Sequence, residues 1–197
     1  MAHKKRAKLV LLASVIVFVL FGCTRGSVQS AGGRTTSGKT YMLGDSGPAG
    51  GIIFYDNKEY TYGWRYLEAA PASTEFSAEW GSYTYVAGTE IVVGSGKRNT
   101  ELIIAALEEN GKAAKLCASL NFNGRNDWFL PSMGELDLMY KNLKRMGLGS
   151  FKDDWYWSSS SSDYGSIAAW AQRFSDGSRN DYNPKGNSYL VRAVRAF

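Results

Sequence analysis

Histidine is almost absent from this sequence of 197 residues: His3 is the only one. Cysteine is scarce too, with Cys23 and Cys117 alone. A serine or cysteine nucleophile ordinarily needs a histidine to take its proton, and the usual zinc sets draw on several His and Cys ligands. Neither chemistry can be assembled here. A disulfide framework within one chain is excluded as well, once Cys23 is given another role. An all-oxygen calcium site stays open, because Asp and Asn recur in the loops, but no metal is assigned. Long apolar runs are also lacking. The longest, residues 9–21, falls short of the roughly 20 residues that a membrane-spanning helix needs.

That run follows Lys4, Lys5, Arg6 and Lys8 and ends Leu20-Phe21-Gly22-Cys23. A basic start, a short apolar stretch and a small residue at the break make residues 1–22 a signal peptide. The junction resembles the lipobox of bacterial lipoproteins, which implies a lipid on Cys23 and a place in the cell envelope, at the outer-membrane surface. Phe21 is bulkier than the usual residue there. Removing the four cations of the leader takes the formal charge from +5 to +1, so the basic balance is no argument for a nucleic-acid partner. Residues 23–40 are small, polar and without an apolar period: a tether.

The domain is expected over 41–197. A glycine-rich turn at 44–51 leads into a strand at 52–55, and 64–70 returns as the second strand of a hairpin. Residues 73–98 read as long loops with one or two brief strands and a short apolar piece at 91–93. Asn99 or Thr100 caps a helix through Leu107, and Gly111 separates it from a second piece over 112–120. Cys117 lies in that helical pattern and reads as buried and inert. Ser132 and Glu135 have capping-box spacing ahead of Leu136, Met139, Tyr140 and Leu143, and Gly147 stops that helix. Beyond Phe151 the period becomes two, which predicts three strands at 155–158, 169–175 and 189–197. The class is α+β, with a mostly antiparallel sheet and two or three helices.

Several motifs are weighed and set aside. Gly44-Asp45-Ser46-Gly47-Pro48 has the form of a trypsin-like nucleophile motif, but no histidine outside the leader can serve it. The pairs Glu108-Glu109 and Asp153-Asp154 are adjacent and share no face. Asp127 and Trp128 are read as fixing the entry to the Ser132 helix. The run Ser158–Ser162 is read as a passage from strand to loop. Within the segment 155–197, Ser, Tyr, Gly, Asn and Asp alternate with fixed-looking aromatics, a composition that adaptable binding surfaces use.

Taken together, GDSGPAGGIIFYDN, GWRYLEAAP, AAKLCASL, DWFLPSMGELDLMY, YWSSS, AWAQRF and VRAVRAF resemble, in order, the domain shared by spirochaete surface lipoproteins and the C-terminal domain of a Legionella collagen-like adhesin. The resemblance implies a C-type-lectin-like fold, distantly similar to formylglycine-generating enzyme. The enzyme branch uses a cysteine pair near its last strands. Here those strands read Val191-Arg192-Ala193-Val194-Arg195, so the resemblance implies no enzyme activity and no cofactor. The C-terminal part is similar to the variable proteins of diversity-generating retroelements, of the treponemal variable-lipoprotein type. In that system adenine mutagenesis rewrites asparagine codons. It reaches Ser, Asp, Tyr, Gly, Ile, Ala, Arg and Pro, but not Lys, Glu, Gln, Met or Trp.

The expectation that follows is a lipid-anchored surface protein that binds a protein or glycan through a diversifiable face within about 155–197. Its contacts are Ser161, Ser162, Asp163, Tyr164, Ser166, Ala171, Arg173, Ser175, Asp176, Ser178, Asn180, Asp181 and Tyr182. Ala171, Arg173 and Ser175 are expected to face outward, while Trp170, Gln172 and Phe174 face inward. Trp157, Trp170, Phe174 and Val194 serve as scaffold. The alternative is a fixed-sequence adhesin or structural surface lipoprotein, with Lys141, Lys144 and Arg145 holding a sulfated polysaccharide.

Overall fold

The glycines of the opening turn are there for a carboxylate. The backbone N–H groups of Ala49 and Gly51 donate to Glu68 (3.1 and 2.7 Å), and the Glu68 carboxylate is fully buried. A Cβ on Gly47 would meet it at 2.3 Å, and one on Gly51 would meet the Ala69 carbonyl at 2.1 Å. Arg195 closes the arrangement by bridging Glu68 to Asp127. Its guanidinium holds the Asp127 carboxyl below the usual range. The protease-like motif is thus a structural anchor for the neighbouring strands.

The structure, a computed structural model, describes residues 38–197 apart from Gly111 and Gly165. The leader, Cys23 and the tether as far as residue 37 lie outside those residues. In chain order the elements are β1 (Ile52–Thr61), β2 (Trp64–Ala69), β3 (Phe76–Glu79), α1 (Gly96–Leu107), α2 (Lys112–Ala118), α3 (Met133–Asn142), β4 (Trp155–Ser161), β5 (Ala168–Arg173), β6 (Arg179–Pro184), β7 (Ser188–Val191) and β8 (Val194–Ala196). Two sheets form, of order β1-β2-β8 and β3-β7-β4-β5-β6. All pairings are antiparallel except β4 with β7. The fold is α+β and C-type-lectin-like. None of the described helices is long and apolar enough to cross a membrane.

The larger sheet is covered on both faces. Tyr156, Phe174 and Leu190 pack with Leu136 and Met139 of α3, the rings of Tyr156 and Phe174 lying 4.4 Å apart. Trp157, Ala169, Ala171 and Val191 pack with Ile103, Leu107 and Ala114 of α1 and α2 on the other side. Cys117 is buried in the same cluster, and desolvation pushes its thiol far above the ordinary range. That suits an inert thiol.

Several expectations are corrected. Helix α1 begins at Gly96, not after Asn99 or Thr100, because those two side chains are turned to other work. Thr100 exchanges hydrogen bonds with the backbone of Leu130, and Asn99 binds the loop before the helix. Of the one or two brief strands expected within 73–98 there is one, β3, and the apolar piece at 91–93 is loop. Residues 179–184, read as loop, form β6. The last strand is two: Arg192 and Ala193 carry the chain from the larger sheet to the smaller one, so every residue from 190 to 195 is buried and no single face can be read from it. The serine run does not leave the sheet. Ser158, Ser159 and Ser160 are buried within β4.

Candidate ligand-binding face

β6 is the edge strand of the larger sheet, and most of the nominated residues lie along it or in the turns at its ends. At one end the β5–β6 turn carries Arg173, Ser175, Asp176 and Ser178, all exposed. Asp176 accepts from the N–H and hydroxyl of Ser178 (2.9 and 2.7 Å), which lowers its pKa, and lies 3.7 Å from Arg173. Gly177 has φ +80°, and a Cβ there would meet the ring of Tyr140 at 2.2 Å, so the turn sits directly on α3. Along the strand, Asn180 is exposed and accepts from the N–H of Tyr182, while Asp181 is half-buried. At the far end Tyr182 meets Tyr164 edge to face at 5.0 Å, both rings more than half exposed. Asp163 is exposed there, and Ser161 and Ser166 are half-buried. At about 3.3 Å per residue, the strand spreads these groups over roughly 17–20 Å.

Two nominated residues are not on this surface. Ala171 is fully buried against the α1–α2 side. Alternation along β5 does hold, but helices cover both faces, so the strand has no outward side until the chain leaves it at Arg173. Ser162 is also buried, its hydroxyl accepting from the N–H of Tyr164. Trp170, expected inside, is only half-buried, whereas Gln172 and Phe174 are fully buried. Exposed residues that went unnominated include Ile167 and Arg179. Both belong to the set reachable from an asparagine codon, so the signal for them was present. Tyr83 and Tyr85 border the same end with rings more than half exposed. Tyr83 comes within contact of Gly186, and the Lys185 ammonium donates to the carbonyl of Thr84 at 2.7 Å. No sequence signal joins residues 101 positions apart.

Lys185 is itself unusual. It is fully buried, lies 4.5 Å from the ring of Trp80, and pairs with no carboxylate among the described residues. Burial pulls its pKa down to about 8.

Behind Ser161 runs a buried polar network. Ser160 accepts from the N–H of Met133 and donates to the carbonyl of Glu90. Asn99 grips Glu90 through both its N–H and its carbonyl. Ser132 and Glu135 form the expected capping box, with bonds of 3.2 and 2.8 Å. Glu135 reaches further, accepting from the N–H groups of Gly94 and Gly96. Its full burial pushes the pKa up to about 7, against the pull of those donors.

Residues 56–195 match the model of the Lcl C-terminal domain family. The chain belongs to that family. The match runs from β1 into β8, so it contains every residue of the candidate face. No curated protein matches the chain. As a C-type-lectin-like domain, an Lcl C-terminal domain fits ligand binding, and the chemistry available at this edge is adhesive: hydroxyls, phenols, one amide and paired charges. Among the described residues no group of three His, Cys, Asp or Glu side chains gathers in reach of a metal ion.

Proposed function

We propose that this Lcl C-terminal domain is displayed on a bacterial surface by a lipid on Cys23 and binds a protein or glycan through its β5–β6 edge, whose exposed residues are rewritten by a templated mutagenesis system. Catalysis forms no part of the reading. One observation carries it. Among the described residues of 161–185, every exposed or half-buried side chain except Trp170 is of a type reachable from an asparagine codon, and the unreachable Gln172 and Lys185 are fully buried. Variation at the exposed positions would leave the packed layers untouched.

The test is binding to an array of extracellular proteins and glycans, repeated with Arg173→Ala and Tyr182→Ala. A ligand lost in both variants while the fold is retained supports the reading. A ligand indifferent to both, but released by salt, favours the sulfated-polysaccharide alternative. Two of the three cations on which that alternative depends are already engaged: Lys141 with Asp137 at 2.6 Å, and Lys144 with Asp153 at 2.7 Å. Radiolabelled palmitate should enter the wild-type chain and not Cys23→Ser. A second copy of the coding segment for 155–197, differing at adenines beside a reverse transcriptase, would establish the rewriting.

A further inference from the structure

A second concave surface lies between the β1–β2 hairpin and the loop before α1. Tyr55 and Trp64 give it two half-buried rings, 6.2 Å apart with their planes 51° apart. Val92 and Val93 form the facing wall, and Asn57, Glu90 and Arg98 stand around them. Its volume is about 520 Å³, within the roughly 300–1,000 Å³ usual for small-ligand sites.

The facing wall is held with unusual care. The carbonyl of Ile91 accepts from the N–H of Gly134, and that of Val92 accepts from the hydroxyls of Ser132 and Ser95 (2.8 and 2.7 Å). A Cβ on Gly134 would meet the Ile91 oxygen at 2.7 Å, and one on Gly94 would meet the Trp64 ring at 3.2 Å. The molecule thus fixes the loop from below with a buried polar network while Val92 stays 56% exposed. Apolar side chains held rigidly in water, beside partly open aromatic rings, mark a contact surface. The charges at the groove cancel, since Arg98 pairs with Glu90 at 3.3 Å.

A sugar ring presents an apolar C–H face and an edge of hydroxyls. The face suits Trp64, Tyr55 and the valine wall. The hydroxyls suit the amide of Asn57, the carboxylate of Glu90 and the guanidinium of Arg98, which together offer both donors and acceptors. With no net charge to satisfy, a neutral ring fits better than an anionic one. We propose that this groove binds a neutral saccharide, at a site separate from the β5–β6 edge and independent of whether that edge varies.

The test is saturation-transfer NMR on the full-length chain with chitotriose, cellotriose, maltotriose and mannotriose in turn. At least one should bind, and Trp64→Ala should weaken it by about two- to tenfold, the loss of one ring-stacking interaction. Because Trp64 also packs against the core, Val92→Glu and Arg98→Ala, both at exposed positions, must weaken binding as well in protein of unchanged melting temperature. Arg173→Ala must leave it alone. The proposal is overturned if no trisaccharide binds at millimolar concentration. It is also overturned if binding survives both exposed-site variants, if Arg173→Ala abolishes it, or if an apolar peptide takes the groove and excludes the sugars.

Discussion

The two exposed regions of this domain are built in opposite ways. At the β5–β6 edge polar side chains face water, and beneath them the apolar Ala168, Ala169, Ala171 and Phe174 are packed with the buried Gln172 and Asn183, whose amide N–H groups donate within the edge and to α3. In the loop before α1 apolar side chains face water, and what lies beneath is a polar network of Ser95, Asn99, Ser132, Glu135 and Ser160. The first design separates surface from support. An exposed serine there can become tyrosine or arginine without touching a buried bond, because the packing below is indifferent to it. The second design couples them, since Ser95, Asn99, Ser132, Glu135 and Ser160 each bond the loop's own backbone. A surface that must change would be expected on the first kind of support, and a surface that must keep one shape on the second.

The comparison breaks most easily at Glu135. Glu135→Ala would leave the buried N–H groups of Ser132 and Gly96, and the more exposed one of Gly94, without their acceptor. At about 1–3 kcal/mol for each buried donor left unpaired, a loss of roughly 2 kcal/mol or more is expected in urea unfolding. A loss under about 1 kcal/mol would mean that the network does not hold the loop. Ala171 tests the other support. Ala171→Tyr forces a ring into a filled layer and should cost about 1–3 kcal/mol, with no gain in binding. A variant of wild-type stability would return Ala171 to the face from which its burial removes it.

How far each design was legible in the sequence follows from the range of the interactions that make it. The α3 capping box joins residues three apart, and Ser132 and Glu135 declared it outright. The β1–β2 hairpin was local too, although β1 runs on to Thr61, with Asp56 paired to Arg65 on the returning strand. What failed was non-local. β6 is a strand because β5 lies beside it, not because Arg-Asn-Asp-Tyr-Asn-Pro favours one. The serine run stays in the sheet because groups 12 to 70 residues away satisfy the hydroxyls of Ser158, Ser159 and Ser160, Glu90 among them. The inward and outward faces of β5 were misassigned because alternation reports two faces and cannot say that helices cover both. Of the candidate face, polar composition was enough to tell that much of the stretch is exposed. Which members of the stretch reach the surface was not legible: Ser162 and Ala171 were nominated and are buried.

Lys185 is where the comparison is weakest, since it places a buried charge in the support of the edge. Its pKa is depressed by burial from 10.5 to about 8. Between those values the unfolded chain holds more protons than the folded one, so stability should rise with pH across that window. Below pH 8 the cost of burying the ammonium is present in full. The slope can reach about 1.4 kcal/mol per pH unit, so a gain of about 1–2 kcal/mol is expected between pH 8 and 9.5. Lys185→Met should flatten this rise. If the mutant keeps the wild-type slope, another group titrates, and the support is less polar in effect than its residues suggest.

The smallest expected effect sharpens the comparison most. Arg173 and Tyr182 are exposed, and the side chains they meet, Asp176 for Arg173 and Tyr164 for Tyr182, are exposed as well. Exposed ion pairs contribute about 0–1 kcal/mol, and substitutions away from buried features usually change stability by no more than about 0.5 kcal/mol. Arg173→Ala and Tyr182→Ala should therefore melt within a degree or two of wild type, separately and together, because the two sites share no partner. That near-silence has content. A surface open to rewriting has to be one on which side chains contribute to binding and almost nothing to folding. If either substitution cost as much as Ala171→Tyr, the edge would be part of the scaffold, and variation there would be paid for in folded protein.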